Sequence, residues 1–256
     1  MENIFLPKTT DIFQEEAKKI ISHSREIALL PSQTPVPICC ALTLFYSLKE
    51  LKKNVNLIIE ELPQDLKFLT PSLDFISFPK NLTISIPRRI AEVSQIYYEK
   101  DNDFLKIFLT LEGKPLKKED ISFYFAQEKP DLVITLGIKD YFQELKERLN
   151  PFGYLLDSPV LNIDTVYNFE IEGMENKKFG KINLIEEKGL VQTVYTLINE
   201  IDNRLLKKEA AEALLVGLLY ETQYFKKNLS PEVFEIASQL IKLGANIETI
   251  KNHLKF

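Results

Sequence analysis

Histidine, cysteine and glycine are scarce in this sequence, and each shortage excludes a kind of site. The 256 residues contain two histidines, two cysteines and eight glycines. The cysteines, Cys39 and Cys40, are sequence neighbours. They indicate neither a disulfide framework nor a zinc knuckle, and we expect two small buried residues near a helix start. The histidines, His23 and His253, fall in or beside predicted peripheral helices, where a surface or half-buried role is expected rather than metal binding.

Long apolar runs and common catalytic motifs are also missing. No apolar run reaches the ~18 to 20 residues that cross a bilayer. Residues 1–7 lack the basic start and the long apolar stretch of a signal peptide, so we expect a cytoplasmic protein. The sequence has no G-x-S-x-G, P-loop or G-x-G-x-x-G motif, and a Ser-His or Cys-His pair would need one of the two histidines.

The balance of acidic and basic residues argues against a protein whose main role is to bind a polyanion. There are 32 basic and 37 acidic residues, which gives a net charge of −5, and the lysine pairs are scattered along the chain. A small phosphorylated ligand remains compatible with this balance. Hydrophobic residues make up 45% of the chain, enough for a substantial core, and we predict a single domain over 1–256.

The order of the predicted elements indicates an α/β fold. Strands at Glu26–Leu30 and Asn54–Ile59 enclose a helix at Cys39–Lys53, and the proline-rich segment Pro31–Pro37 is predicted to be a loop. Two further apolar runs, Asp131–Leu136 and Pro159–Asp164, have the composition of strands covered on both faces. Helices are predicted at 10–21, 190–201, 209–220, 230–243 and 246–256. We therefore expect a mostly parallel sheet with helices on both faces and a helical C-terminal third.

A β-hairpin is predicted at 93–111 as an insertion into this α/β core. Aromatic and β-branched runs at Val93–Tyr98 and Phe104–Leu111 flank the polar turn 99–103. Two interpretations remain open: an interaction surface for a protein partner, or a lid that packs on the sheet. Upstream, the short strand Leu82–Ile86 is followed by Arg88 and Arg89, which could meet a phosphate or lie on the surface.

The strand that ends at Asp164 is the candidate centre of function, because open α/β sheets bind ligands at the carboxyl ends of their strands. Val160-Leu-Asn-Ile-Asp164, followed by Phe179-Gly-Lys-Ile-Asn-Leu184, resembles the core of the DHH phosphoesterases, the RecJ and nanoRNase/pAp phosphatase group. The predicted helix around 41–51 is similar to a helix of that family, and the run 213–225 is similar to its final motif. The resemblance implies a DHH-type fold and metal-dependent hydrolysis of phosphoesters.

The family's metal-binding motifs are degenerate in this sequence. The resemblance implies a histidine and two aspartates after the first strand, but no His, Asp or Glu occurs between Leu30 and Cys40. It implies an aspartate directly after Leu136, where Gly137 stands. Asp140 is either a helix cap or a substitute ligand.

Two carboxylates remain from the family's metal-binding motifs. Asp164 is kept, although Thr165 and Val166 follow it where the family has two histidines, and Glu221 stands in place of an aspartate. Two carboxylates do not build a two-metal cage, so the resemblance implies at most a weak residual metal site. The other acids near Asp164 in sequence are Asp157, Glu170 and Glu172, for which loop solvation is the alternative.

Two functions follow as hypotheses. The first is a catalytically inactive DHH-like domain without a cofactor, retained to bind a protein partner through the hairpin or a nucleotide in the cleft. The second is a Mn²⁺- or Mg²⁺-dependent phosphoesterase for nucleotides or short oligonucleotides. The family's second domain, with its glycine-rich, histidine-containing loop, has no counterpart in this sequence, and a homodimer is left open.

Overall fold

Nine strands are present in the described part of the chain. The computed structural model describes residues 9–59, 62–70, 81–126, 130–141, 143, 158–166 and 178–254. The strands are β1 (Glu26–Pro31), β2 (Asn54–Leu57), β3 (Asn81–Ser85), β4 (Ala91–Lys100), β5 (Leu105–Gly113), β6 (Ser122–Ala126), β7 (Leu132–Leu136), β8 (Val160–Thr165) and β9 (Ile182–Glu186).

Five of these strands form one parallel sheet in the order β2-β1-β7-β8-β9. Numbered by chain order within the sheet, this is 2-1-3-4-5, so the direction of winding reverses between β1 and β7. Doubly wound sheets bind ligands in the crevice at such a reversal. The fold therefore points to the carboxyl ends of β1 and β7, together with the neighbouring end of β8.

Six α-helices accompany the sheet in the described residues. They are α1 (Thr9–His23), α2 (Pro35–Glu50), α3 (Leu190–Asp202), α4 (Lys208–Glu221), α5 (Pro231–Lys242) and α6 (Ile247–Leu254). The predicted α/β class, mostly parallel sheet and helical C-terminal third are confirmed. Within the described residues, none of these helices combines the length and the apolarity that a membrane span requires.

The start of α2 differs from the prediction. The helix begins at Pro35, four residues before Cys39, and Pro31 belongs to β1, so the predicted loop Pro31–Pro37 is wrong at both ends. Proline is favourable at the first helical position because the N–H that it lacks would have no partner there. Cys39 and Cys40 lie buried inside α2 without a disulfide, as expected.

Alternate residues of the parallel strands belong to two different apolar clusters. Ile27, Leu29 and Ile134 belong to the larger cluster, which includes residues of all six helices. Ala28, Leu30 and Val133 belong to a smaller cluster with Ile138, Tyr141 and Phe179. This alternation is what strands covered on both faces require, and it explains why their sequences are nearly continuous in apolar residues.

A buried polar chain interrupts these apolar runs and joins three strands. Asn162 of β8 is 0% exposed; its Oδ1 accepts a hydrogen bond from Thr135 Oγ1 of β7 at 3.0 Å. Its Nδ2 donates to Asn183 Oδ1 of β9 at 3.3 Å. Asn183 also binds both backbone groups of Gly180, accepting at 3.1 Å and donating at 2.7 Å. These hydrogen bonds fix the register of β7, β8 and β9 and hold the turn before β9 in place.

Two antiparallel pairs stand outside the parallel sheet. Strand β3 pairs with β6, and β4 pairs with β5 to form the predicted hairpin, which extends over 91–113 rather than 93–111. A register shift between Val93 and Gln95 leaves Ser94 as a β-bulge. The hairpin lies between β3 and β6 in sequence, so it is an insertion between paired strands.

Candidate functional site

Two adjoining cavities lie at the carboxyl ends of the parallel strands. The first has a volume of about 460 Å³ and the second about 570 Å³. Thr165, at the end of β8, and Glu221, at the end of α4, line both cavities. We call the two together the cleft; its volume is in the range of small-molecule sites.

The first cavity lies at the reversal of the sheet winding. Ser32 and Thr34 follow β1, and Gly137 and Lys139 follow β7. The hydroxyl oxygens of Ser32 and Thr34 are 3.1 Å apart. The nearby start of α2 is a poor anion site, because prolines at its first and third positions lack the N–H groups that would donate to an anion.

Gly137 occupies the position where the family resemblance implies a metal-binding aspartate. Its φ is +63°, and an added Cβ would lie 2.8 Å from Cγ of Pro37. The Gly137 N–H donates to the Ile163 carbonyl at 3.1 Å, which fixes the turn against β8. The ring of Pro37 therefore occupies the space into which a side chain at position 137 would extend.

Asp164 is a wholly buried residue rather than one that lines the cleft. It is 0% exposed, and its Oδ1 accepts the backbone N–H of Thr165 at 2.8 Å. Among the described residues of β8, it is Thr165 that lines both cavities. The strand end predicted from the sequence is thus at the cleft, but the residue in contact with the cavities is the next one along the chain.

Glu221 reaches across to the beginning of α3. Its Oε1 accepts the backbone N–H of Val191 at 3.3 Å, and its carboxylate lies where a side chain at Gly189 would start. Gly189 has no side chain to cap the helix, and Gln192 supplies one partner by accepting the Gly189 N–H at 3.1 Å. Glu221 supplies another, so this carboxylate acts as a helix cap contributed by a distant element.

Burial raises the pKa of Glu221 to about 6, against the opposing effect of hydrogen bonds from the backbone of Val191 and Leu190. A carboxyl group whose pKa is higher in the folded state than in the unfolded state destabilises the fold when it ionises. The stability contributed by the protonated form is fully present below about pH 4.5 and is lost as the pH rises through about 6.

Glu221→Gln is therefore expected to be more stable than the natural chain at pH 8, by about 2 kcal/mol, because the amide keeps an acceptor for Val191 without a buried charge. At pH 4 the two proteins should be nearly equal. Urea unfolding at both pH values measures the difference. Glu187→Gln is the matched control, because it neutralises an exposed acid of the same cleft and so removes no buried charge.

The two cavities are not lined by Arg88, Arg89, Asp140 or either histidine. Arg88 and Arg89 are exposed in the turn before β4, where Arg88 pairs with Glu92 at 2.8 Å, so the surface interpretation fits them. His23 is exposed on α1, and His253 of α6 stacks on Phe68 with ring centroids 4.2 Å apart. Asp140 accepts the Gln143 N–H at 3.1 Å, a helix-cap contact. Asp157, Glu170 and Glu172 lie outside the described residues.

The residues of the cleft do not fit a two-metal centre. In the ranges that the structure describes, no three His, Cys, Asp or Glu side chains are grouped closely enough to hold one metal ion. Of the two candidate ligands, Asp164 is fully buried and Glu221 caps α3. A pair of bridged cations would need several more carboxylate or imidazole ligands.

Sequence reasoning missed Thr165, Gly189 and Lys139 as residues of the cleft. Two of them carried a signal: Thr165 directly follows the predicted strand-end acid, and Gly189-Leu-Val-Gln192 has the spacing of a capping motif before a predicted helix. Lys139 follows the adjacent strand after a turn. Its approach to the cleft depends on the order of the strands.

The parallel sheet and its cleft define a doubly wound α/β fold. A solved structure with this fold is an exopolyphosphatase-related protein from Bacteroides fragilis, which has a TM-score of 0.64 and 16% sequence identity to this chain. The match covers 99% of this chain and 62% of the length of that protein. No protein-family model matches the sequence, and no curated protein matches it.

Proposed function

We propose that this chain is a DHH-type phosphoesterase domain that has lost the two-metal centre and uses the cleft to bind a nucleotide or nucleoside without hydrolysing it. The observation that carries the proposal is the contact between Gly137 and Pro37: the space for a strand-end carboxylate is filled by a proline ring. The exopolyphosphatase-related structure supports the phosphoesterase-like fold on which the proposal depends.

The state of the two remaining carboxylates supports the same proposal. Glu221 satisfies the start of α3, where it accepts a backbone N–H and lies against Gly189. A cation at this carboxylate would compete with the backbone N–H of Val191 for its oxygen lone pairs. Asp164 is fully buried and lines neither cavity, whereas its neighbour Thr165 lines both.

The polar groups of the cleft favour a ligand that offers both hydrogen-bond donors and acceptors. Ser32, Thr34 and Thr165 contribute hydroxyl groups to the first cavity, and Lys139 contributes a cation. In the second cavity the three acids Glu187, Glu221 and Glu232 outnumber the one cation, Lys188, so a polyphosphate would be repelled there. A nucleoside or a nucleoside monophosphate suits this mixture, since its base and sugar donate as well as accept.

Calorimetric titration with Mn²⁺ tests the loss of the metal centre. We expect no heat of binding at millimolar Mn²⁺, and no difference between the natural chain and Asp164→Ala. Tight binding of two ions that Asp164→Ala abolishes would overturn the proposal. That result would favour the alternative, a metal-dependent phosphoesterase, and hydrolysis of pAp and short RNA would then be the decisive assay.

Titration with adenosine monophosphate in the presence of a chelator tests the binding role. We expect saturable binding that weakens about fivefold in Thr165→Val, which removes the hydroxyl and keeps the side-chain shape. Ser94→Val changes a hydroxyl on the hairpin and should leave the affinity unchanged. Failure of nucleosides and their monophosphates to bind would contradict the ligand assignment.

A further inference from the structure

The hairpin of β4 and β5 has one apolar and one polar face. Because of the bulge at Ser94, the register places five residues of each strand on one face. Eight of these ten are aliphatic or aromatic, and the other two are Lys100 and Gly113; the eight are Ala91, Val93, Ile96, Tyr98, Leu105, Ile107, Leu109 and Leu111. The opposite face carries the pairs Glu92 with Glu112, Gln95 with Thr110, Tyr97 with Phe108, and Glu99 with Lys106. Such alternation is typical of a sheet that is buried on one side.

The apolar face is nevertheless largely exposed toward the tip of the hairpin. Ile96 is 70% exposed, Tyr98 72%, Leu105 61% and Ile107 47%, whereas Ala91 at the base is 3% exposed. A two-stranded hairpin is marginally stable alone, and three or more strands with an apolar face are needed for independent stability. The hairpin therefore has the composition of part of a larger sheet.

The two edges of the hairpin differ in their capacity to accept another strand. The bulge at Ser94 interrupts the regular pattern of β4, and bulges of this kind discourage pairing at an edge. Strand β5 runs without interruption from Leu105 to Gly113, and in the part of the chain that the structure describes it pairs with β4 alone. The open, regular edge is that of β5.

The sequence of β5 is complementary to itself when it is reversed. Antiparallel pairing of two copies about Leu109 places Lys106 opposite the partner's Glu112 and Ile107 opposite the partner's Leu111. The pair of Lys106 with Glu112 joins opposite charges on the polar face, and it occurs twice because the pairing is symmetric. The pair of Ile107 with Leu111 extends the apolar face across the junction. Lys106 is available for this pairing because its contact with Asp101, at 3.5 Å, is between two half-exposed side chains.

We propose that a second copy of this chain pairs with the β5 edge about Leu109 and forms a four-stranded antiparallel sheet from two hairpins. This contact is isologous, so a single strand supplies both halves of the interface. The proposal goes beyond the binding role of the cleft. Neither Lys106 nor Glu112 lines a cavity of the cleft, so the two proposals can fail separately.

Reversal of single charges tests the register. Lys106→Glu and Glu112→Lys each place like charges opposite one another at both ends of the junction, and each is expected to weaken the dimer about tenfold or more by sedimentation equilibrium. An equimolar mixture of the two variants restores both attractive pairs and should dimerise, as should the double variant. Lys100→Glu, at the end of the bulged strand, is the matched control and should not change the association.

Three results would overturn the proposal. The natural chain could remain monomeric at high micromolar concentration. It could form a dimer that ignores both charge reversals. It could also form a dimer that Ile96→Asp abolishes while the charge variants leave it intact, which would indicate packing of the apolar faces instead of pairing of the edges. Circular dichroism of every variant checks that the parallel sheet is still folded.

Discussion

Gly137→Ala is expected to lower the free energy of unfolding by about 2 to 5 kcal/mol, measured by urea denaturation. Two costs add at this position. The backbone has φ of +63°, which costs an alanine about 1 to 2 kcal/mol. The new Cβ would also lie 2.8 Å from Cγ of Pro37, and overpacking of this kind costs about 1 to 3 kcal/mol.

Pro37→Ala separates the two costs. It removes the Cγ atom from the contact and leaves the backbone of Gly137 as it is. In a double-mutant cycle, Gly137→Ala should lose less stability in the Pro37→Ala background than in the natural chain, and the remaining loss measures the strained φ. Equal losses in the two backgrounds would show that the proline does not restrict this site, and would weaken the argument that it fills the place of an acidic side chain.

The parallel sheet was predictable because its strands are buried on both sides. In β7, Leu132, Ile134 and Leu136 belong to the larger apolar cluster and Val133 belongs to the smaller one, so the sequence shows a nearly continuous apolar run that only Thr135 interrupts. The start of α2 was not predictable from proline as a helix breaker. Pro35 lies at the first helical position, where the same property that ends a helix elsewhere is harmless.

The location of the cleft was predictable, but the roles of its carboxylates were not. Asp164 marked the strand end at which the cavities lie, since its neighbour Thr165 lines both of them. Glu221 caps α3 through a contact between residues 30 positions apart, and such a contact depends on the packing of α4 against α3. A single sequence does not reveal that packing, and a buried carboxylate that caps a helix has the same residue type as a metal ligand.

Asn162→Asp is expected to have the second large effect, a loss of about 3 to 5 kcal/mol at pH 8, because it introduces a buried charge whose hydrogen-bond partners in the described residues are the uncharged Thr135 and Asn183. The natural amide accepts from Thr135 and donates to Asn183. A carboxylate could still accept from Thr135, but its second oxygen would face the Asn183 oxygen, which itself accepts the Gly180 N–H.

The pH dependence of the loss distinguishes the charge from the missing hydrogen bonds. Burial would raise the pKa of the new carboxyl group, so the loss should grow as the pH rises and shrink in acid, where the protonated group can again donate to Asn183. Asn162→Ala removes the same hydrogen bonds without a charge and should cost about 1 to 3 kcal/mol at every pH. If the two variants were equally destabilised at pH 8, water would have to reach position 162. The hydrogen bonds across β7, β8 and β9 would then not be shielded from solvent, and they could not be what holds the strand ends at the cleft in register.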